Sequence, residues 1–222
     1  MKSNYEALPG KPNSLWLATT PTTSFPALQN DLLVDVAIIG GGIVGLTAAA
    51  LLKEQGKSVA VLEAGRIAEG VSGNTTAKVT SLHTLIYDYL IQHFGHDKAQ
   101  AYAAANQSAI EQIATLVRDK HIDCEFKRIA AYTYAESEKE VNKVEAEVAA
   151  ALKLGLPAVL TYETPLPFPI KAAIRFDDQA QFHPRKYLLA LARNIHGVGS
   201  YIFENTRVTD FSDDDPCFVT TE

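Results

Sequence analysis

A chain of 222 residues with a net charge of −6 and a pI near 5.5 can bury a substantial core, and it carries no basic field of the kind that gathers nucleic acid. Its two cysteines, Cys124 and Cys217, lie far apart with no CxxC or CxH spacing near either, which argues against a metal site and fits a reducing, cytoplasmic setting. A charged start followed by an apolar block, the mark of a secretion signal, is absent from the first residues.

Residues 1–30 are spotted with Pro, Ser, Thr and Asn and read as an extended arm with little structure of its own. Trp16, the single tryptophan, is expected to fasten that arm to the body, with a role in substrate binding as the alternative. The next stretch organises the rest. Val36, Ala37, Ile38 and Ile39 lead into Gly40-Gly41-Gly42-Ile43-Val44-Gly45; an Ala- and Leu-rich run follows, and Ser58-Val59-Ala60-Val61-Leu62 closes on Glu63. The order is strand, tight turn, helix, strand, acid. Gly40 suits the sharp turn, Gly42 the close approach of a diphosphate to backbone, and Gly45 the close packing of helix on strand. The helix end would turn unpaired N–H groups and a positive dipole toward the phosphates. Glu63 stands eighteen residues past Gly45, where a carboxylate can accept the hydroxyls of an adenosine ribose and repel a 2′-phosphate. The site therefore suits FAD or NAD better than NADP. Residues 33–52 are also long and apolar enough to raise a transmembrane helix, against which Asp35, the glycine cluster and the restart of a strand pattern after Lys53-Glu54-Gln55-Gly56 all argue, so no membrane span is expected.

A helix is expected over 43–55, stopped by Gly56. Residues 64–78 are small, polar and punctuated by glycine; an NAD-binding domain has little need of such a loop, whereas a longer cofactor would take hydroxyls and N–H groups from it, with Arg66 reaching the adenosine side. A plain flexible linker is the alternative. Apolar residues at helical spacing then fill 81–122 and predict two helices covering the same sheet. Residues 126–134 read as a strand, and 137–154 as a helix with Glu138, Glu140, Lys143 and Glu145 outward and Val141, Val144, Val148 and Leu152 inward. A proline-punctuated connection spans 161–170, a short strand 172–176, and a helix opens at Phe182-His183-Pro184. The last residues alternate as strands over 200–203, 206–211 and 217–220, a hairpin pattern crossing over a nucleotide-binding sheet.

Taken together, the glycine run, the acid in Leu62-Glu63-Ala64, the Gly70-Val71-Ser72-Gly73-Asn74 loop, Phe182-His183-Pro184 and Phe203-Glu204-Asn205-Thr206-Arg207-Val208 resemble the FAD-dependent oxidoreductases related to D-amino-acid oxidase and glycine oxidase. The continuation Thr75-Thr76-Ala77-Lys78-Val79-Thr80-Ser81-Leu82-His83 is similar to the bacterial branch that carries a C-terminal Rieske iron–sulfur domain. The resemblance implies an α/β fold: a Rossmann-like FAD-binding domain, a parallel sheet with ββα layers, and the start of a smaller α+β substrate domain. The expected division is an arm at 1–30, a discontinuous FAD-binding domain at 31–124 and 180–222, and part of a substrate domain at 125–179. The resemblance implies FAD as cofactor, held by Gly40, Gly42 and Gly45 at the diphosphate and Glu63 at the ribose, with Ala64 beside it. Arg66, Ser72, Thr75 and Thr76 would surround the phosphates, and the Val208 backbone would meet the adenine. Residues near His83 would lie toward the flavin ring, unless His83 is simply satisfied at a helix start.

The implied reaction is hydride transfer from an amine- or amino-acid carbon to the flavin, with no catalytic acid or base assigned in this chain. Family members run longer, so the chain is expected to be an N-terminal portion, inactive alone, with any [2Fe-2S] cluster in the remainder. An NAD-dependent dehydrogenase, a flavin monooxygenase or a non-catalytic nucleotide-binding remnant stay open as alternatives. Neither the substrate nor the oligomeric state is legible.

Overall fold

The computed structural model describes residues 13–222. The chain folds into two compact units, one made of the residues up to Thr75 together with Pro184–Glu222, the other of Thr76–His183.

In the first unit a short helix α1 (Leu15–Ala18) precedes β1 (Val36–Ile39), α2 (Ile43–Glu54) and β2 (Val59–Leu62). A single 3₁₀ turn (Val71–Asn74) follows, and after the excursion through the second unit come α6 (Pro184–Ile195), β7 (Tyr201–Phe203), β8 (Val208–Phe211) and β9 (Val219–Thr221). The sheet runs β1-β2-β7, all parallel, with Val36 opposite Val59 and Ala60 opposite Tyr201. β2 is the central strand, and all four of its residues are buried, as its unbroken apolar run requires. β1 alternates half-buried and exposed residues, and among the described residues its outer edge pairs with no strand. β8 and β9 form an antiparallel hairpin outside the parallel sheet.

The turn between β1 and α2 is where glycine is needed. Gly40 sits at φ +99°, a region that side chains avoid. α2 packs on α6, and Leu46 of α2 and Leu188 and Leu191 of α6 are fully buried; each contributes about 2 kcal/mol by burial. Gly56 ends α2 at φ +79°. Residues 33–52 are thus loop, strand, turn and helix, and among the described residues no helix is long and apolar enough to cross a membrane.

The second unit contains β3 (Lys78–Val79), α3 (Tyr87–Phe94), α4 (His96–Asp119), β4 (Lys127–Ala135), α5 (Glu138–Lys153), β5 (Ala158–Thr161) and β6 (Ala172–Gln181). β6 is its spine, paired antiparallel with β4 along most of its length and with β3 and β5 at opposite ends. Ala172, Ile174 and Phe176 of β6 pack on Val144, Val148 and Ala151 of α5 and on Tyr87 and Ala103. The Tyr87 and Phe176 rings stack with centroids 6.1 Å apart.

Several sequence expectations are corrected here. The helices over 81–122 belong to the second unit and build its core, so residues 76–124 cluster with 125–179 rather than with the glycine turn. Residues 81–86 are not helical: the helix begins only at Tyr87, because the carboxylate of Glu147 on α5 accepts the amides of Ile86, Tyr87 and Asp88 at 2.7–2.9 Å and fixes the start there. That makes Glu147 a fully buried acid on a helix read as having only solvated charges, while Leu152, placed on its dry side, is 55% exposed. β6 runs on to Gln181, five residues past its expected end, and β5 was hidden behind Pro157. Within the arm, the described part holds α1; its first twelve residues lie outside the described residues.

Candidate functional site

The elbow between β1 and α2 is closed to side chains at two of its glycines. An added Cβ on Gly45 would lie 2.0 Å from the Gly40 carbonyl oxygen, and one on Gly41 would lie 2.4 Å from the Ile67 Cγ2. On Gly42 it would meet only the Ser72 hydroxyl, at 3.2 Å. On Gly40 it would meet nothing within 4 Å, and the φ of +99° is what calls for glycine there, whereas Gly42, at φ −87°, is crowded by that one hydroxyl alone. Gly42 also caps α2: the first helical bond runs from the Leu46 amide to the Gly42 carbonyl at 3.0 Å. The amides of Ile43, Val44 and Gly45 form the first turn and by position have no carbonyl within the helix to bond. Ser72 accepts that of Ile43 at 2.9 Å.

Glu63 closes the elbow from the end of β2. One carboxylate oxygen accepts the Gly41 amide and the other the Gly65 amide, each at 2.8 Å. Each oxygen keeps a second lone-pair direction, so the group is oriented by backbone and still able to accept two hydroxyls. The surrounding chain is held in register by the Glu63 amide on the Phe203 carbonyl at 2.9 Å, the Thr206 amide on the Glu63 carbonyl at 2.9 Å, and the Asn205 amide on the Gly65 carbonyl at 2.8 Å. A fully buried acid, Glu204, accepts the amides of Ile67 and Phe25 at 2.9 Å each and the hydroxyl of Thr23.

The first unit thus brings Gly40, Gly42, Gly45, Glu63 and Ser72 together at one turn. Ala64 and Arg66 are exposed beside Glu63 in sequence, and Arg66 forms no ion pair among the described residues. Thr75 lies at the end of the same loop and accepts, through its carbonyl, the Trp16 indole N–H at 2.8 Å. Val208 packs against Ala60, Leu62 and Phe203 at the start of β8. Thr76 and His83 fall in the second unit, where the His83 Nδ1 shares a hydrogen bond of 2.8 Å with the Tyr102 hydroxyl. Gly41 and Glu204 were missed from sequence. The unbroken glycine triplet was a usable sign for the first; the second has its partners 137 to 181 positions away, beyond any local pattern.

A family model described as FAD dependent oxidoreductase matches residues 35–222. The chain belongs to the FAD-dependent oxidoreductase family. Among relatives of this family, the Bacillus subtilis protein YhfW, whose name describes a Rieske 2Fe-2S iron–sulfur protein, is 43% identical over 90% of this chain and 39% of its own. The Haemophilus influenzae protein OrdL, named as an oxidoreductase, is 30% identical over 87% of this chain and 46% of its own. The chain thus spans less than half the length of these relatives. Among solved structures, an L-amino acid deaminase from Proteus myxofaciens superposes with a TM-score of 0.70 at 20% identity, covering 92% of this chain and 46% of that one. Glycine oxidase from Geobacillus kaustophilus gives 0.65 at 21% identity over 85% of this chain and 51% of its own. These likenesses carry the fold.

The residues present fit the family's cofactor. A turn crowded at Gly42 only by the Ser72 hydroxyl, a helix N-terminus behind it and a carboxylate already aimed by two amides are the features that an adenine dinucleotide asks for.

Proposed function

We propose that this chain supplies the FAD-binding part of an oxidoreductase that acts on amines or amino acids. The observation that carries the reading is the position of Glu63: its carboxylate is fixed by the amides of Gly41 and Gly65, next to Gly42, where an added Cβ would meet only the Ser72 hydroxyl. Gly42 and the first-turn amides of α2 would receive the diphosphate, Glu63 the ribose hydroxyls, and Ser72 and Thr75 the phosphates' other side. Arg66 and Thr76 are assigned to the phosphates and adenosine, and the Val208 backbone to the adenine, on the family resemblance. When bound, the flavin would accept a hydride from the carbon bearing the amine and leave an imine for water to hydrolyse.

The amino-acid deaminase and glycine oxidase named above support the amine or amino-acid class of substrate, and the likeness to YhfW supports a 2Fe-2S centre as electron acceptor in a longer polypeptide. Among the described residues no cluster of His, Cys, Asp and Glu could hold a metal, so such a centre is not assigned to this chain. A cytoplasmic setting remains part of the same proposal.

Reconstitution tests it. The chain mixed with FAD and passed through a desalting column should retain flavin absorbance near one equivalent, with NAD retained far less. Retention of NAD and not of FAD would sink the reading. Turnover with a panel of primary and secondary amines and amino acids, by a polypeptide of the relatives' full length, tests the substrate class.

A further inference from the structure

The segment ahead of the family match is bonded into the loop that carries Ser72 and Thr75. Ser14 caps α1, its hydroxyl oxygen accepting the Trp16 amide at 3.2 Å while its proton goes to the Gly73 carbonyl. The Trp16 indole N–H donates to the Thr75 carbonyl at 2.8 Å. Gly73 has no room for a side chain: an added Cβ would lie 2.5 Å from the Ala68 carbonyl oxygen and 3.2 Å from a Leu17 methyl. Arg185, with only 1% of its side chain exposed, donates to the Pro21 carbonyl at 2.6 Å and to the Thr20 hydroxyl, and pairs with Glu69 at 3.3 Å. The loop over 65–75 is therefore tied on one side to the arm at Gly73 and Thr75, and on the other to α2 through Ser72 and the Ile43 amide.

We infer that Trp16 is a positioning residue for the cofactor loop: its N–H sets the Thr75 carbonyl and, with Ser14, holds the 3₁₀ turn so that the Ser72 hydroxyl stands at the N-terminus of α2. The inference rests on the reading of the elbow as the diphosphate site. An indole suits the task because it has two side-chain torsions to immobilise, a large apolar body to bury and one directed donor. A tryptophan that only filled space would be replaceable by phenylalanine without effect on the loop. One that works through its N–H would not.

The test uses the full chain with Trp16→Phe and, as a second variant acting on the other tie, Ser14→Ala; Leu15→Ala, at a 62% exposed position of the same helix, is the control. Hydrogen exchange without ligand should become about fivefold faster at 71–75 in both variants, the factor expected for one lost hydrogen bond, with β2 unchanged. Affinity for FAD and for ADP should fall by a similar factor, while affinity for adenosine, which has no diphosphate, stays as in the parent. Unchanged ADP affinity overturns the inference whatever the exchange rates do, since it leaves a purely structural tie. Equal losses for adenosine and ADP overturn it too, as general damage. If the parent itself binds neither FAD nor ADP, the cofactor reading falls and the inference with it, a result distinct from a normal parent and an indifferent Trp16→Phe.

Discussion

Two glycines in the elbow, Gly42 and Gly45, have different duties, and substitution separates them. At Gly45 even a methyl group would overlap the Gly40 carbonyl at 2.0 Å, so Gly45→Ala is expected to cost about 3 kcal/mol or more and to lower the melting temperature steeply. At Gly42 the methyl meets only the Ser72 hydroxyl at 3.2 Å, which has to give by a few tenths of an ångström, so Gly42→Ala should melt nearly as the parent does yet lose most of its FAD retention. Calorimetry and flavin retention measured on both variants check the split; equal melting losses would contradict it. Glu63→Gln carries both penalties. Its amide NH₂ must face either the Gly41 or the Gly65 N–H, so roughly 1–3 kcal/mol of stability should go with the weakened ribose contact. Asp35 adds a titration. Its Oδ2 accepts the Ser58 hydroxyl and amide at 2.7 Å each, and those bonds hold its carboxyl below the ordinary value. The pairing between the starts of β1 and β2 is therefore fully supported above the unfolded value near 3.8 and is lost as pH falls through the lowered native one. Exchange of the Ser58 amide against pH should show the opening only on the acid side.

At the scale of elements, the most exposed consequence concerns α3. Its first turn is capped from another helix by Glu147, and Glu147→Ala should cost about 3 kcal/mol, because three amides, that of Tyr87 buried, lose a charged acceptor together. Far-UV circular dichroism during thermal melting reads that loss. Beside it, burial pushes the Tyr87 hydroxyl above the usual tyrosine value, aided by Tyr102 and Glu147. A raised native value leaves stability intact below pH ~10 and removes it as pH climbs past the unfolded value, so alkaline melting should be flattened by Tyr87→Phe. The same helix explains why sequence reading was uneven. The β1-α2-β2 run was legible because its signals are local: an apolar strand, glycines that sterics demand, an acid at fixed distance. The start of α3 was not, since the group that sets it lies 59 to 61 residues onward. Nor does helical spacing over 81–122 say which sheet the helices will cover. Periodicity marks a buried face without naming its partner.

For the whole molecule, the division at Thr75 and Pro184 makes the second unit one continuous stretch with its own core, whereas the first is assembled from two. Residues 76–183 produced by themselves should accordingly keep a mixed helix and strand spectrum and melt cooperatively. A featureless spectrum would show that their core depends on the rest of the chain. The candidate site belongs to the discontinuous unit, where Glu204 and Arg185 near the C-terminal end hold the arm and the loop that precede them by more than a hundred residues. That is why the glycine elbow could be read from a dozen residues while its outer wall could not.

β1 has a practical side as well. Among the described residues its outer backbone edge pairs with no strand, and Leu33, Ile39 and Val44, before, within and after it in sequence, are 89%, 57% and 79% exposed. Unsheathed strands of this kind template lateral stacking between molecules, so purified material should scatter more light as concentration rises. Ile39→Lys should keep it dispersed.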